Sequence, residues 1–273
     1  MRYIVMVPSV LLIMLLAYFG LQAYTHAKGY EESTKKLVVD KNAKSQAEYR
    51  ARSLAEKLSL GYFENEKRVF RETIEKERAW HKKRTRASMT YAMATLAVIL
   101  LSSFAAGLQY FTFFGSLSAL VVLYLGLFTP ILMITIRTEV EYIGEVILSF
   151  ESKSVLGSVA KLFDSGDAAI AFTILLFSVL VPLTKTFLMM FAAAVAESRF
   201  AHGMVKFFKV IGKWSMLDVF VVATLLVYLT GNGSDVSHAE VQAGIYFFLA
   251  YVIVSMLTSL SADKMLQRSV NSE

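Results

Sequence analysis

Apolar residues along this chain gather into six long runs, and polar residues fill the stretches between them. Each run is about 20 residues long, the length at which an α-helix crosses the hydrocarbon core of a bilayer. The runs cover approximately 3–24, 88–109, 115–136, 168–194, 209–230 and 241–262. This pattern predicts an all-α integral membrane protein with about six transmembrane helices. Between the second and third runs lies only QYFTFFGS, a short aromatic turn closed by Gly115, so these two spans are expected to form a tight hairpin. The first run, Tyr3 to Tyr24, is too long for a secretory signal and leads into LQAYTHAKGYEE, which offers no small-residue cleavage site. It reads as an uncleaved anchor.

The polar intervals carry patterns of their own. Residues 25–86 are rich in Lys, Arg, Glu and Ala, with apolar residues at helical spacing in Leu54/Leu58 and Phe70/Ile74, then Trp80. Gly61, in KLSLGYFENE, lies near the midpoint. Two helices of roughly 25–30 residues folding back there would form a coiled-coil-like extramembrane hairpin projecting about 40 Å. A solvated charged linker is the other reading, because the apolar stripe is thin. Further on, EVEYIGEVILSFE alternates enough for a short strand pair, and SVLGSVAKLFDSG reads as an amphipathic helix at the membrane interface. TGNGSDVSHAEV, residues 230–241, reads as an ordinary loop.

Composition narrows the chemistry. The chain has no cysteine, which excludes disulfides, thiolate metal sites and cysteine nucleophiles. His26, His81, His202 and His238 are scattered, with no H-E-x-x-H pattern, so neither a metal centre nor a catalytic site is expected, and no cofactor. No G-x-x-x-x-G-K-[ST] loop is present either, so any ATP dependence would come from a partner. Behind the formal charge of +6, most Lys and Arg fall in one segment beside the membrane, where lipid headgroups or charge-mixed helices explain them more simply than nucleic acid does. Arg199, Lys206, Lys209 and Lys213, with Lys264 and Arg268 in the tail, put the 195–213 loop and the C-terminus in the cytoplasm. With six spans the 25–86 arm then lies outside. Lys82, Lys83, Arg84 and Arg86 beside the second span pull the other way, and a five-span arrangement with a cytoplasmic arm is the competing topology.

Charged residues at membrane depth cost about 2.5–3.5 kcal/mol to insert, so they normally face protein and have a partner. Two stand out: Lys185 in FSVLVPLTKTFLMM and Asp218 in WSMLDVFVV. Lys185 falls roughly 13 Å from the end of its span, and Asp218 roughly 6 Å deeper than Trp214, a natural interfacial anchor. A lysine side chain can snorkel across the difference. Ser255, roughly 10 Å deep in the last span, belongs to the same layer. Ser215 shares a face with Asp218 at i−3, and Ser178 lies two turns before Lys185 at i−7. Pro182, three residues before Lys185, is expected to kink the helix and free a backbone carbonyl there. The layer is either a salt-bridged clasp holding the bundle or a working polar site.

From about Leu117 to Leu260 the chain resembles one module of the paraquat-inducible protein A family of bacterial inner-membrane proteins. The resemblance rests on LGLFTPILMI, on SVLGSVAKLFDSGDAAIAFTILLFSVLVPLTK with its Ser-x3-Pro-x2-Lys, and on GKWSMLDVFVVATLL. It implies a four-helix membrane module, here over 110–273; the 1–109 transmembrane hairpin with its 25–86 arm is a departure from the family pattern. It also implies phospholipid as the cargo and a mammalian-cell-entry (MCE) domain protein of the periplasm as partner. By the same resemblance Lys185, Asp218, Ser215, Ser178 and Ser255 occupy the family's polar positions, with Ser255 where threonine is usual. Family members usually carry two modules and cysteine-rich zinc ribbons. One module and no cysteine stand here, so zinc binding does not transfer, and a homodimer is one way to supply the second module.

The function expected is therefore a non-enzymatic inner-membrane component of an intermembrane phospholipid transport system. A membrane receptor or scaffold using the 25–86 arm for docking or sensing is the alternative, and a small-molecule or ion transporter a third.

Overall fold

Two long helices open the chain in a computed structural model, which describes residues 2–37, 62–140, 144–194 and 237–270. Helix α1 (Arg2–Lys36) runs past the expected end of the first span, and α2 (Tyr62–Ala106) joins the second half of the polar arm to the second span as one helix of 45 residues. At 1.5 Å per residue α2 is about 68 Å long, more than twice the hydrocarbon thickness. Ala23, Ala27 and Tyr30 of α1 and Ala92, Leu96 and Ile99 of α2 are buried as the two pack side by side. The arm therefore continues its spans without a break on these two sides. Gly61, the expected fold-back point, lies outside the described residues.

The hairpin between the second and third spans turns earlier than QYFTFFGS. Gly107 makes the turn with φ of 126°, a conformation side-chain-bearing residues rarely adopt, and its carbonyl accepts from Phe111 N at 3.0 Å. The aromatic stretch lies inside helix α3 (Leu108–Phe128), where Phe111, Phe114 and Gly115 are all buried. Aromatic residues suit a buried helix face, and nothing in FTFF requires a turn.

The third span also ends sooner than expected, at Phe128 rather than near 136. Pro130 lacks an N–H and biases Thr129 to extended backbone, here φ −72° and ψ 142°. The apolar residues beyond it form strand β1 (Leu132–Val140), which pairs antiparallel with β2 (Gly144–Lys153) through a bulge at Ile136/Arg137. The last three residues of LGLFTPILMI, Leu132 to Ile134, are thus strand. The 230–241 stretch, expected as plain loop, contributes β3 (Ser237–Val241), which pairs with the other edge of β1 to give the order β2-β1-β3.

Helix α4 (Val155–Asp164) is the expected amphipathic helix, with Ser154 as its N-cap accepting from Gly157 N at 3.0 Å. A single span follows, built from α5 (Ala168–Leu175), a π-turn (Leu176–Leu180) and α6 (Val181–Ala194). Helix α7 (Ala243–Val270) closes the chain. Central to the bundle is α3, which packs on α1, α2, α6 and α7. Its buried Phe114, Val122 and Leu123 meet Phe247, Tyr251 and Val254 of α7 in one core.

Five described helices are long and apolar enough to cross a membrane: Met6–Lys36, Glu72–Ala106, Leu108–Phe128, Ala168–Ala194 and Ala243–Met265. The chain is an all-α, multi-pass integral membrane protein that carries one small sheet. The sixth expected span, 209–230, lies outside the described residues. Because β3 pairs with β1, the sheet draws together segments from before α5 and just before α7, at the bundle end where α3 stops.

Candidate functional site: a polar seam beside a π-turn

The span Ala168–Ala194 is interrupted for a local reason. In a regular α-helix the Pro182 ring would press on the carbonyl of Ser178, four residues earlier, and leave it without a donor. The extra residue of the π-turn at Leu176–Leu180 relieves that clash, as such turns commonly do at kinks and functional sites. The expected kink is therefore met by a π-turn, with Ser178 half-buried inside it. Counting i−7 from Lys185 no longer places Ser178 on the same face, because the added residue shifts the helical phase.

Immediately after the turn, α6 presents a polar seam to α7. Thr186 Oγ1 donates to the Pro182 carbonyl at 2.8 Å, and Tyr251 Oη donates to the same carbonyl at 3.1 Å. The two hydroxyls lie 3.2 Å apart. Two turns further along, Thr258 Oγ1 reaches Met189 Sδ at 3.9 Å. Lys185 lies on α6 between these two cross-links, and Ser255 lies between them on α7, one turn from both Tyr251 and Thr258. Both are buried, Lys185 at 5% exposure and Ser255 at 3%. Lys185 and Ser255 are thus both buried close in sequence to residues that cross-link α6 and α7. Lys185 is engaged in an interaction, as a buried ammonium must be.

Trp214, Ser215 and Asp218 lie outside the described residues. Sequence reasoning passed over Thr186, Tyr251 and Thr258, although Tyr251, Ser255 and Thr258 already stand at i, i+4 and i+7 in an apolar run. The seam is small enough to test. Tyr251→Phe removes the bond to the Pro182 carbonyl and should lower stability in detergent by about 1 kcal/mol. An unchanged unfolding midpoint would show that this contact contributes nothing.

A second polar cluster ties the arm to the sheet. Tyr30 Oη donates to Glu240 Oε2 at 2.8 Å, Arg78 Nη2 donates to Tyr30 Oη at 2.8 Å, and Lys82 Nζ donates to Glu240 Oε1. The Arg78 guanidinium also stacks over the Tyr30 ring, 4.9 Å from its centroid. Burial alone would raise the Glu240 carboxyl, but the bonds from Lys82 and Tyr30 outweigh it and hold the group below its ordinary value. Nearby, His26 and His81 pack edge-on against Trp80 where α1 meets α2. Among the described residues no three His, Cys, Asp or Glu side chains gather as a metal site would need.

The sequence profile of the family described as "Paraquat-inducible protein A" matches residues 110–267, from the start of α3 to near the end of α7. A protein of Haemophilus influenzae named "Probable intermembrane transport protein" is 27% identical over 119 residues, which cover 41% of this chain and 28% of that protein. The chain therefore spans well under half of that relative. No solved structure matches it.

Proposed function

Because the chain belongs to the paraquat-inducible protein A family, we propose that it is the membrane component of a system that moves phospholipid between membranes. It acts in a bacterial inner membrane with an MCE-domain protein as its periplasmic partner, and it is not an enzyme. The observation that carries this reading is Lys185: a lysine buried in a membrane span, one turn beyond a π-turn, on a hydroxyl-lined helix seam. An intramembrane charge is expensive to keep and usually marks a transport path or a coupling device. The printed name of the Haemophilus influenzae relative points the same way.

In this reading Asp218 is the counter-charge to Lys185, with Ser215 and Ser255 completing the polar layer and Trp214 setting its depth, while Ser178 stands apart inside the π-turn. Rearrangement of that pair alters the α6–α7 contact and couples lipid passage to a change in the bundle. A second copy of the chain supplies the second module that relatives carry within one polypeptide.

The test is envelope integrity and vesicle-to-vesicle lipid transfer in Lys185→Ala and Asp218→Ala. Both should reduce transfer about tenfold or more, the size of an ordinary coupling energy. Normal transfer by normally folded protein in both variants would overturn the coupling role. The scaffold reading draws on the cluster at Glu240, which ties the arm to the module. Removing residues 30–80 while leaving Lys185 intact separates the two: loss of function there alone favours the scaffold.

A further inference from the structure

A cleft of about 600 Å³ opens where α1, the end of α3, the end of β2 and α4 meet. Its volume falls within the range of about 300–1,000 Å³ usual for small-molecule sites. It also lies at a defined depth. Phe128 in its wall is the last residue of the α3 span, and α4, an amphipathic helix, forms the opposite lip just before the chain re-enters the bundle at Ala168. The end of an apolar span beside an amphipathic helix suits headgroup level, where a bilayer changes from hydrocarbon to charge.

The lining has two chemistries. Phe128 and Leu162 give it an apolar edge towards the spans, while three ammonium groups, Lys28, Lys153 and Lys161, surround its polar part. Two carboxylates stand among them, Glu31 on α1 and Glu151 on β2. Glu151 accepts from Lys161 and lies 3.5 Å from Lys153, so it holds both ammonium groups at one wall of the cleft. The hydrogen bond from Lys161 keeps the Glu151 carboxyl below its ordinary value and therefore ionised at neutral pH. A ligand with phosphate alone would meet the lysines but leave Glu31 facing like charge. A ligand carrying both a phosphodiester and its own cation satisfies both signs, and an apolar tail leaving by Phe128 and Leu162 suits the edge.

We propose that this cleft binds the headgroup of a zwitterionic phospholipid, with the phosphodiester among Lys28, Lys153 and Lys161 and a primary ammonium on Glu31. The site is built jointly by α1 and by the part of the chain matched by the family. It deepens the transport reading by naming the lipid class, and rests on that reading only for what becomes of the lipid.

The test is titration of the full chain in detergent with dihexanoyl-phosphatidylethanolamine below its micellar concentration, followed by calorimetry. Dihexanoyl-phosphatidylglycerol and inorganic phosphate serve as the other probes. The ethanolamine lipid should bind about tenfold more weakly to Lys28→Gln/Lys153→Gln and to Glu31→Gln, each a surface change that leaves the unfolding midpoint in place. Lys264→Gln, remote from the cleft, should bind as the unsubstituted chain does. Equal affinity in all variants overturns the site. Equal affinity for the glycerol lipid overturns the zwitterionic assignment, and competition by inorganic phosphate at the same concentration overturns the lipid as ligand. No transport step enters the measurement, so its failure is distinct from failure of the Lys185 and Asp218 experiment.

Discussion

Gly244→Ala is expected to destabilise the protein by about 3 kcal/mol or more, enough to prevent accumulation of the folded chain in the membrane. A Cβ at this position would lie 2.3 Å from the Thr129 carbonyl oxygen and 2.7 Å from that of Pro130. Those obstacles are backbone, not the tip of a side chain that could swing away. They are also fixed from several directions: Gly244 N donates to Pro130 O at 2.9 Å, Gln242 N to Ile131 O at 3.0 Å, and Ile131 N to Lys153 O at 2.8 Å. Relief would require pulling the start of α7 away from the end of α3, which breaks the first bond and loosens the sheet beside it. Yield after membrane extraction and the unfolding midpoint in detergent measure the effect. A midpoint within experimental error of the unsubstituted chain would show that this junction yields more easily than its geometry implies.

Glu240→Gln should cost about 1–2 kcal/mol, because it keeps the side chain's shape but weakens the charge-assisted bonds from Tyr30 and Lys82. The Lys82 ammonium is half exposed, so screening reduces its share, and the half-buried Tyr30 bond carries more. The pH dependence follows from the sign of the shift. The folded carboxyl lies below its ordinary value of 4.5, so its contribution is complete above that pH and is lost as pH falls through the lower, folded value. Glu151 is shifted in the same direction, so the informative quantity is the difference between the parent chain and Glu240→Gln. That difference should shrink as the solution is made more acidic than pH 4.5, and a constant difference down to pH 3 would exclude an ionised Glu240 as its source.

The class of the protein and most of its helices could be read from the chain because a bilayer imposes a length on apolar runs. Boundaries were less legible. Gly107 and Gly115 look equivalent in sequence, yet only the first has the backbone angle of a turn, and the aromatic residues between them are held inside α3 by burial. Pro130 was a visible stop signal, but the apolar residues after it read as more of the same span until their pairing with β2 is seen. SHAEV is too short and polar to announce a strand, and its partner lies far back in the chain. At the seam, Lys185 and Ser255 stood out as polar residues in apolar runs, whereas Thr186 and Tyr251 did not, since threonine and tyrosine are unexceptional in membrane helices. Pro182 signalled a disturbance, but whether a helix answers proline by bending or by admitting an extra residue depends on its neighbours.

The pairing of β1 with β3 also imposes an order in time. Leu132 is matched to Val241 roughly 110 positions later, so one edge of β1 stays open until that later segment has been synthesised. Closing so long a loop carries an entropic penalty that local helix and hairpin contacts do not. Contacts such as β1 with β2 can form early, while the strand that docks the arm through Glu240, next to the Gly244 junction of α7, arrives much later. Until then β1 presents unpaired backbone groups to its surroundings, and the newborn protein is most exposed to mispairing in that interval.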